Sequence, residues 1–337
     1  MNNHDAARRY EISAFGEVDT LRKAVGLMPE VSADLVRIRV KFAGLNFADV
    51  MARRGLYPLV DASMLPFTPG MEVVGEIEAV GPDVSGPNVG QRVFAKLEMG
   101  GYSDYVVAPA SYVFPVPDGI DSSEVLGLVG TSGQTAYGVA MSLKPADGRA
   151  VFITAAAGGV GSVLIQLCKH LGWTVIAGVS SAEKASLVAS LGADHTVRYD
   201  QTGWEETLKG LAGELGLAAA LDSVGGAPNR GALAALGNHG ELVFFGGASG
   251  DLVGLPPELV FPFVATCKSV RGFGLVGYYM SGPDVLNKTI QGLFGAKLAG
   301  AISSIKTTTF AAADVAEAHR QLESRQSQGK LQLDMQS

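Results

Sequence analysis

The sequence contains few cysteines and few charged residues. Of its 337 residues only Cys168 and Cys267 are cysteines, so no disulfide framework organises the fold, and a reducing compartment is expected. Charged residues make up 18% of the chain and the formal net charge is −7. This composition excludes the basic footprint of a nucleic-acid-binding protein, and the dispersed basic residues form no stripe suited to a membrane surface.

Long uninterrupted apolar runs are also missing. The most apolar stretch, residues 125–143, is broken by Thr131, Ser132, Gln134 and Thr135. It therefore falls short of the roughly 20 consecutive apolar residues that a transmembrane helix needs. The sequence predicts no membrane span, and the cytoplasm is the expected location.

The chain does have enough apolar material for two domains, since 47% of its residues are hydrophobic. Between Val36 and about Pro117, short segments alternate apolar and polar residues and are separated by turns. Residues 36–40 and 73–80 are the clearest of these segments. Because no long helical pattern separates them, they predict a mostly antiparallel β module.

After Asp121 the pattern changes to alternating strands and helices. Apolar strands are predicted at 150–156, 174–179, 195–199, 218–224, 241–245 and 269–273, with helices at 160–171, 183–191 and 204–211. Such alternation predicts a parallel, doubly wound sheet with helices on both faces. From about Asn287 the chain returns to helix and strand, and it is expected to rejoin the first module.

A glycine-rich segment, Ala-Ala-Gly-Gly-Val-Gly at residues 156–161, lies between a predicted strand and a predicted helix. It has the spacing of the dinucleotide fingerprint, with alanine in place of the first glycine. Gly158 would let the backbone approach a pyrophosphate, and Gly161 would let the helix pack closely on the strand. The N–H groups at the helix start, including those of Gly159 and Val160, would hold the phosphates. The alternative is a tight turn without a ligand, but the surrounding strand–helix–strand unit favours a dinucleotide site.

The end of the second strand of this unit indicates which dinucleotide is bound. An NAD-selective site has an acidic residue there, which accepts hydrogen bonds from the ribose hydroxyls. This sequence has Ser180 and Ser181 instead, followed by Lys184 one turn into the helix. Lys184 alone could be a solvated helix lysine. Together with two hydroxyls and no acid, it favours a 2′-phosphate and therefore NADPH.

Several segments carry a family resemblance. They are residues 44–57 (GLNFADVMARRGLY), 69–75 (PGMEVVG), 135–137 (TAY), 155–161 (AAAGGVG), 222–225 (DSVG), 270–275 (VRGFGL) and 329–331 (GKL). Together they resemble the medium-chain dehydrogenase/reductase superfamily, and within it the zinc-free quinone oxidoreductase branch that includes zeta-crystallin and the vesicle amine transport proteins.

That resemblance implies an α/β protein of two domains. A GroES-like, mostly antiparallel β catalytic domain would comprise residues 1–122 and 288–337, and a Rossmann doubly wound parallel-sheet cofactor domain would comprise residues 123–287. The active site is expected in the cleft between them. The strand near residues 269–273 resembles the one through which such subunits form homodimers.

The resemblance also implies residue roles. Lys184 and Tyr199 match positions that hold the adenosine 2′-phosphate of NADPH. Asn46 matches a polar residue that faces the substrate. Further cofactor contacts are implied for Thr135, Phe245, Gly246, Gly247, Phe273, Gly274, Leu275 and Lys330, of which the residues at 245–247 and 273–275 would lie beside the nicotinamide.

No metal ligand set is predicted. The zinc enzymes of the superfamily need cysteine, histidine–glutamate and a further cysteine or aspartate. Here Asn46 stands in the region of the first ligand, Met71 replaces the histidine before Glu72, and the four-cysteine structural lobe is missing. Without a Lewis acid, direct alcohol oxidation is hard.

A conjugated acceptor is the easier substrate for such a site. Hydride would add to the β-carbon of a quinone or enone, and a hydrogen bond from Asn46 would stabilise the charge that develops on the oxygen. Tyr57 is a second candidate donor or a packing residue, and Asp49 is a candidate helix cap.

The sequence leaves three functions open. The first is an NADPH-dependent quinone or enone reductase, and the second is a reductase of enoyl thioesters or another activated alkene. The third, of a different class, is an NADPH-binding redox sensor or regulatory protein with little turnover. The physiological substrate is not predicted, because pocket specificity depends on scattered side chains.

Overall fold

A computed structural model describes residues 6–251, 257–303 and 305–337. The chain forms two compact units. The first comprises the residues up to Ser132 together with Ile305–Ser337, and the second comprises Gly133–Ser304. The domain boundaries predicted from the sequence, after residues 122 and 287, were placed where the strand pattern changes. Both fall inside helices of the structure, Ser122–Val129 and Val285–Leu298.

The first unit is built mainly from strands. Its strands are β1 (Ala6–Ile12), β2 (Leu21–Leu27), β3 (Leu35–Leu45), β4 (Glu72–Val80), β5 (Arg92–Lys96), β6 (Tyr105–Pro109), β7 (Val113–Pro115), β14 (Thr307–Ala311) and β15 (Lys330–Asp334). Its helices are α1 (Phe47–Arg53), α2 (Ser122–Val129) and α11 (Val315–Glu323), and α3 (Thr131–Met141) begins in this unit and continues into the second.

Among the described residues, seven of these strands form one sheet. Its order is β14-β15-β3-β4-β5-β7, and β6 also pairs with β3. All of these pairs are antiparallel except β14 with β15, whereas β1 and β2 form a separate antiparallel hairpin. Ile38 and Val40 of β3 point into the core and Arg37 and Arg39 point outward, as the alternating sequence predicts. The expected mostly antiparallel module is confirmed.

The second unit contains the alternating elements. Its strands are β8 (Ala150–Ile153), β9 (Thr174–Val179), β10 (His195–Arg198), β11 (Leu217–Asp222), β12 (Leu236–Phe244) and β13 (Ser269–Gly272). Its helices, after α3, are α4 (Gly159–His170), α5 (Ala182–Ser190), α6 (Trp204–Ala212), α7 (Gly226–Ala235), α8 (Pro257–Ala265), α9 (Leu275–Tyr279) and α10 (Val285–Leu298).

The six strands form a parallel sheet in the order β10-β9-β8-β11-β12-β13 within the described part of the chain. Every residue of β8 and of β11 is buried, because helices cover both faces of the central strands. The predicted doubly wound sheet is therefore confirmed. Helices α3, α7, α8 and α9 were not predicted. Glycines surround the start of α7, and Pro262 interrupts the helical pattern of α8.

The helices of the structure are short. The longest, α10, has 14 residues. No helix in residues 6–251, 257–303 or 305–337 is both long and apolar enough to cross a membrane.

Candidate functional site

The carboxyl edge of the parallel sheet collects most of the predicted cofactor residues. Parallel strands all end at the same edge of a sheet, which is where open α/β sheets bind ligands. The glycine-rich turn at 158–161 follows β8, Ser180 and Ser181 follow β9, Tyr199 follows β10, residues 245–247 follow β12, and residues 273–275 follow β13. Segments that are far apart in sequence thus meet along one edge of the second unit.

The glycine-rich turn has the backbone geometry of a phosphate-binding turn. Gly158 is the N-cap of α4, and its N–H donates to the carbonyl oxygen of Ala155 at 2.9 Å. A Cβ at Gly161 would lie 2.6 Å from that same oxygen, so only glycine lets the helix approach the strand this closely. Gly159 and Val160 open the helix, where the first N–H groups lack acceptors within the helix and are available to an anion.

The tips of β9 and β10 bring a cation and hydroxyl groups together. The Lys184 ammonium lies 3.4 Å from the Ser180 hydroxyl, and the Ser181 hydroxyl caps α5 by accepting from the Lys184 N–H. The Tyr199 N–H donates to the carbonyl of Val179 at 3.0 Å, which places Tyr199 beside the end of β9. Partial burial lowers the pKa of Lys184, and the nearby Glu183 opposes this shift. A hydroxyl therefore occupies the strand tip where an NAD-selective site has a carboxylate.

Backbone hydrogen bonds and close packing contacts hold the segments that follow β12 and β13. The Phe245 N–H donates to the carbonyl of Asp222, and a Cβ at Gly246 would lie only 3.0 Å from the carbonyl of Ser223. The Phe273 ring contacts Gly138 of α3, where a Cβ would lie 2.4 Å from the ring. Since Thr135 lies one turn earlier on α3, the structure brings Thr135 and Phe273 to the same part of the second unit.

A buried carboxylate, Asp222, fastens two strand ends at this edge. The Thr154 hydroxyl, which follows β8, donates to Asp222 at 2.6 Å, and the Asn229 side-chain amide donates at 2.8 Å. The N–H groups of Val224 and Gly225 also donate to this carboxylate, each at 3.0 Å. Asp222 thus holds the ends of β8 and β11 in register, a role that the sequence did not predict.

The first unit contains a second polar group of residues, which we call the Glu72–Lys330–Asn46 cluster. Strand β15 pairs with β3 so that Leu331 lies opposite Leu45, and this register places Lys330 beside Asn46. The Lys330 ammonium lies 2.5 Å from a Glu72 carboxylate oxygen and donates to Asn46 Oδ1 at 2.7 Å. The side chains of Lys330 and Glu72 are only 2% and 1% exposed. The cluster is therefore a desolvated ion pair extended by one amide.

Glu72 is held from its other side as well. The backbone N–H and the hydroxyl of Thr131 both donate to its second oxygen, at 2.6 and 2.7 Å. Burial alone would raise the pKa of Glu72, but the Lys330 charge and these hydrogen bonds outweigh burial and hold the pKa below its usual range. Glu72 is thus ionised at neutral pH.

The Asn46 amide has one satisfied end and one unsatisfied end. An ammonium group can only donate, so the amide oxygen must face Lys330 and the Nδ2 group must face away. Asn46 is 7% exposed, and its Nδ2 atom has no hydrogen-bond partner among the residues that the structure describes. A buried donor without a partner costs about 1–3 kcal/mol, which a ligand oxygen at that position would recover.

Asp49 supports the backbone around Asn46. Its two carboxylate oxygens accept from the N–H groups of Asn46 at 2.8 Å and Gly70 at 3.0 Å, so its predicted role as a helix cap is confirmed. Burial raises the pKa of Asp49 to about 7.

Tyr57 is half-buried and packs against the core of the first unit. Burial, with a smaller contribution from the Asp49 charge, raises the pKa of Tyr57. Tyr57 therefore has the packing role that was one of its two predicted possibilities, and a role as donor stays a prediction.

Comparison with known proteins gives a consistent result. Residues 32–118 match the alcohol dehydrogenase GroES-like domain, and residues 159–291 match the zinc-binding dehydrogenase family. The chain is 32% identical to the quinone oxidoreductase of Pseudomonas aeruginosa, over 96% of this chain and 98% of that protein. It is 33% identical to the 2-haloacrylate reductase of a Burkholderia species, over 88% and 90%. The structure of Escherichia coli quinone oxidoreductase complexed with NADPH superposes with a TM-score of 0.86 at 28% identity, covering 97% of this chain and 99% of that one.

The chain belongs to the medium-chain dehydrogenase/reductase superfamily. The whole-length match to a quinone oxidoreductase places it in the quinone oxidoreductase branch, as the sequence resemblance implied. One of the matching family descriptions names zinc, which the dehydrogenases of this superfamily hold with cysteine and histidine. In this chain Asn46 and Met71 stand in those regions. Independence from zinc stays a prediction.

Glu72 and Thr131 have no role predicted from the sequence. The sequence signal for Glu72 was an acidic residue that leads directly into the apolar pair Val73-Val74. Fully buried acids are rare unless they are paired, so this pattern predicts a cationic partner without identifying it. Lys330, for which a cofactor contact was implied, lies in the first unit within the cluster. Its cofactor contact stays a prediction.

Proposed function

We propose that this protein is an NADPH-dependent reductase that transfers hydride to a quinone or an α,β-unsaturated carbonyl compound without a metal ion. The observation that carries the proposal is the buried Asn46 amide. Its oxygen is bound by Lys330, and its Nδ2 donor has no partner in the described part of the chain. A single fixed donor of this kind suits an acceptor whose oxygen becomes negatively charged during reduction.

The residues at the carboxyl edge of the parallel sheet fit NADPH. The close approach of Gly161 to the end of β8 leaves the start of α4 open to a pyrophosphate, and Lys184 with Ser180 offers a cation and a hydroxyl to a 2′-phosphate. The related Escherichia coli enzyme was crystallised with NADPH. When bound, the reduced nicotinamide supplies the hydride.

The protein side chains position the acceptor. Asn46 Nδ2 donates to the acceptor oxygen and stabilises the negative charge as it develops, while Asp49 holds the Asn46 backbone through its N–H. Such a donor contributes roughly 2–4 kcal/mol to the stability of the transition state, by analogy with one oxyanion-hole donor. Water is a sufficient proton source for the reduced oxygen.

Reduction of another activated alkene is the second candidate. The observation that favours it is the 33% identity to a 2-haloacrylate reductase over most of both chains. A carboxylate or thioester conjugated to an alkene places negative charge on oxygen in the same way, so Asn46 could serve either acceptor. The two candidates differ in the acceptor and share the cofactor.

A substrate panel tests the proposal. Purified protein is incubated with NADPH and, separately, with quinones, enones, enoyl thioesters and 2-haloacrylate, and the absorbance of NADPH is followed. We expect turnover that is fastest with a quinone or an enone. Turnover confined to thioesters or haloacrylate would establish the second candidate. Tight NADPH binding without turnover of any acceptor would instead support a redox-sensing role and would disprove the proposal.

We also propose that the protein forms a homodimer through the outer edge of β13. This strand is the last in the sheet order, and its outer edge pairs with no other strand in the described residues. Val270 is exposed on it, and Phe261 and Val264 on α8 are 78% and 71% exposed. An unpaired apolar edge is suited to pairing with a second copy. Sedimentation equilibrium should give twice the chain mass, and a monomer would contradict this assignment.

A further inference from the structure

We propose that Lys330 and Glu72 are positioning residues that act through Asn46. In this view Lys330 fixes the orientation of the Asn46 amide and polarises it, so that Nδ2 becomes a stronger donor to the acceptor oxygen, and Glu72 holds Lys330 in place. The inference rests on the proposed function, and it gives Lys330 a different task from the cofactor contact that the family resemblance implied.

The geometry leaves the amide a single orientation. The Lys330 ammonium is fixed between Glu72 at 2.5 Å and Asn46 Oδ1 at 2.7 Å, with almost no exposure to water. Rotation of the amide by half a turn would place its N–H groups against the ammonium, so two sets of donors would face each other. The carboxylate is itself fixed by two hydrogen bonds from Thr131. A rigid set of contacts therefore extends from α3 to the Asn46 side chain.

The chemistry of the amide makes this contact more than a mechanical support. A positive charge beside Oδ1 draws electron density from the amide and leaves the Nδ2 hydrogens more positive. Hydrogen bonds to a charged group are shorter and roughly twice as strong as neutral ones, and linked hydrogen bonds polarise one another. Because Asn46 is buried, this polarised donor meets the developing oxyanion without having to reorient.

Stability alone gives no reason for burying this ion pair. Removing two charges from water costs several kcal/mol per ion, and apolar residues of similar volume often stabilise a core as well or better. The position of the pair gives a reason for this desolvation cost, because Lys330 also binds the Asn46 amide. The inference is therefore that the pair serves Asn46.

Lys330→Met removes the charge and keeps much of the side-chain volume. We expect kcat/KM for the best acceptor to fall by about 10- to 100-fold, the usual size for a lost hydrogen bond to a charged group. The dissociation constant of NADPH, measured by quenching of protein fluorescence, should change by less than about twofold. Lys306→Met is the matched control, because Lys306 lies in the same unit and bonds to Gln328. It should change neither quantity.

A double-mutant cycle separates positioning from a general structural effect. In an Asn46→Ala background the Lys330→Met change should cost less than about twofold, because the residue through which Lys330 acts is gone. Lys330→Arg keeps the charge and the donor and should recover part of the activity. Full additivity of the two losses, or a tenfold weaker binding of NADPH in Lys330→Met, would overturn the proposal, and the second result would make Lys330 a cofactor residue.

Loss of Lys330 leaves the Glu72 carboxylate buried and unpaired, so the single variant could fail to fold. The combined variant Glu72→Gln with Lys330→Met removes both charges and keeps the shape of the pair. It should retain a cooperative thermal transition and show the same loss of kcat/KM. Wild-type activity in a folded combined variant would disprove the role of the pair.

A readout without turnover distinguishes this proposal from the proposed function. The side-chain amide resonance of Asn46, identified by its disappearance in Asn46→Ala, reports polarisation of Nδ2 directly. It should move in Lys330→Met and stay in place in Lys306→Met. If wild-type protein reduces no acceptor but the resonance behaves in this way, the proposed function fails and the polarising contact stands. An unmoved resonance in Lys330→Met would disprove the contact, whatever the activity.

Discussion

The two units build their candidate ligand groups in opposite ways. At the sheet edge of the second unit, backbone N–H groups and partly exposed side chains are presented on short turns, and the Lys184 ammonium lies 3.4 Å from its hydroxyl neighbour. In the first unit, the side chains of Glu72 and Lys330 are almost fully buried. Their charged groups lie 2.5 Å apart, and the Lys330 ammonium lies 2.7 Å from Asn46 Oδ1. Water competes for the first kind of contact and is excluded from the second.

Because of this difference, we expect the two groups to respond differently to substitution. Contacts that are shared with water change affinity moderately and independently of their neighbours. Contacts within a desolvated group change by larger amounts, and they change together, because Lys330 contacts both Glu72 and Asn46. The variants below probe the two units separately, from the largest expected effect to the smallest.

Asn46→Ala should have the largest effect. Loss of the donor to the acceptor oxygen is expected to lower kcat/KM by roughly 30- to 1,000-fold, corresponding to about 2–4 kcal/mol. The dissociation constant of NADPH should be unchanged, because the proposed NADPH contacts at the sheet edge belong to the second unit. Steady-state kinetics and fluorescence titration measure the two quantities. Equal kinetics in the variant and the wild type would remove Asn46 from the mechanism.

Gly161→Ala tests the backbone geometry of the cofactor turn. The added Cβ would lie 2.6 Å from the Ala155 carbonyl oxygen, so α4 must move away from the strand. We expect a loss of about 1–3 kcal/mol in the free energy of unfolding, measured by urea denaturation. Gly210→Ala is the control, since a Cβ there meets nothing within 4 Å and should stabilise α6 by up to about 1 kcal/mol. Equal effects at the two positions would contradict the role of close approach.

Lys184→Ala tests the selectivity for NADPH. A hydrogen-bonded charge contact to phosphate is worth roughly 1.5–3 kcal/mol, and exposure to water places this one near the lower limit. The dissociation constant of NADPH should therefore rise by about tenfold while that of NADH stays nearly unchanged. Calorimetry on both cofactors measures this, with the exposed Lys209 changed to alanine as the control. Equal losses for NADPH and NADH would make Lys184 an ordinary surface lysine.

Asp49→Asn should change how stability depends on pH. The pKa of Asp49 is raised from 3.8 to about 7 in the folded protein, mainly by burial and further by the Glu72 charge, against the lowering effects of Lys330 and of two backbone hydrogen bonds. The folded state therefore holds the proton more tightly than the unfolded state. This stabilisation is complete below pH 3.8 and is lost as the pH rises to 7, by at most about 1.4 kcal/mol per pH unit.

The measurement is the free energy of unfolding of both proteins between pH 5 and pH 8, chosen as a range around that pKa. Relative to Asp49→Asn, the wild type should lose stability as the pH rises to about 7 and then change no further. An asparagine side chain has one acceptor oxygen where the carboxylate has two. The variant is therefore less stable by an amount that does not depend on pH. A difference that does not vary with pH would contradict the raised pKa.

Chelation should have no effect at all. Since Asn46 and Met71 occupy the regions of the zinc ligands, the purified protein is expected to contain far less than one zinc per chain. Elemental analysis and assay after dialysis against a chelator test this. One stoichiometric zinc that is lost together with activity would disprove the metal-free mechanism.

The second unit was largely predictable from the sequence because its signals are local. Strand β9 was predicted with its observed bounds, and α4 and α5 within one residue at each end. The glycine spacing and the serines after β9 lie within one strand–helix–strand segment, where periodicity and turn chemistry are sufficient. Helices α7 to α9 were missed, because glycine and proline hide a helical pattern that tertiary packing supports.

The candidate site of the first unit was only partly predictable, because its contacts are distant in sequence. Asn46 and Lys330 are 284 residues apart and meet through the register of β15 on β3. The resemblance gave both residues a role, but only the structure shows that they touch. Local patterns carry no information about which lysine neutralises a buried glutamate, so Glu72 and Thr131 stayed without roles.

The position of β15 in the first sheet has a consequence for the order of synthesis. Strand β3 and Glu72 leave the ribosome more than 250 residues before Lys330. The second unit is one continuous segment between them, so all of its strands are available before β15 has been made. During this interval Lys330, the ion-pair partner described for Glu72, has not been made. Residues 42–45 of β3 still lack strand β15, whereas residues 35–39 can already pair with β6. The Glu72–Lys330–Asn46 cluster therefore cannot form until the whole of the second unit has been translated.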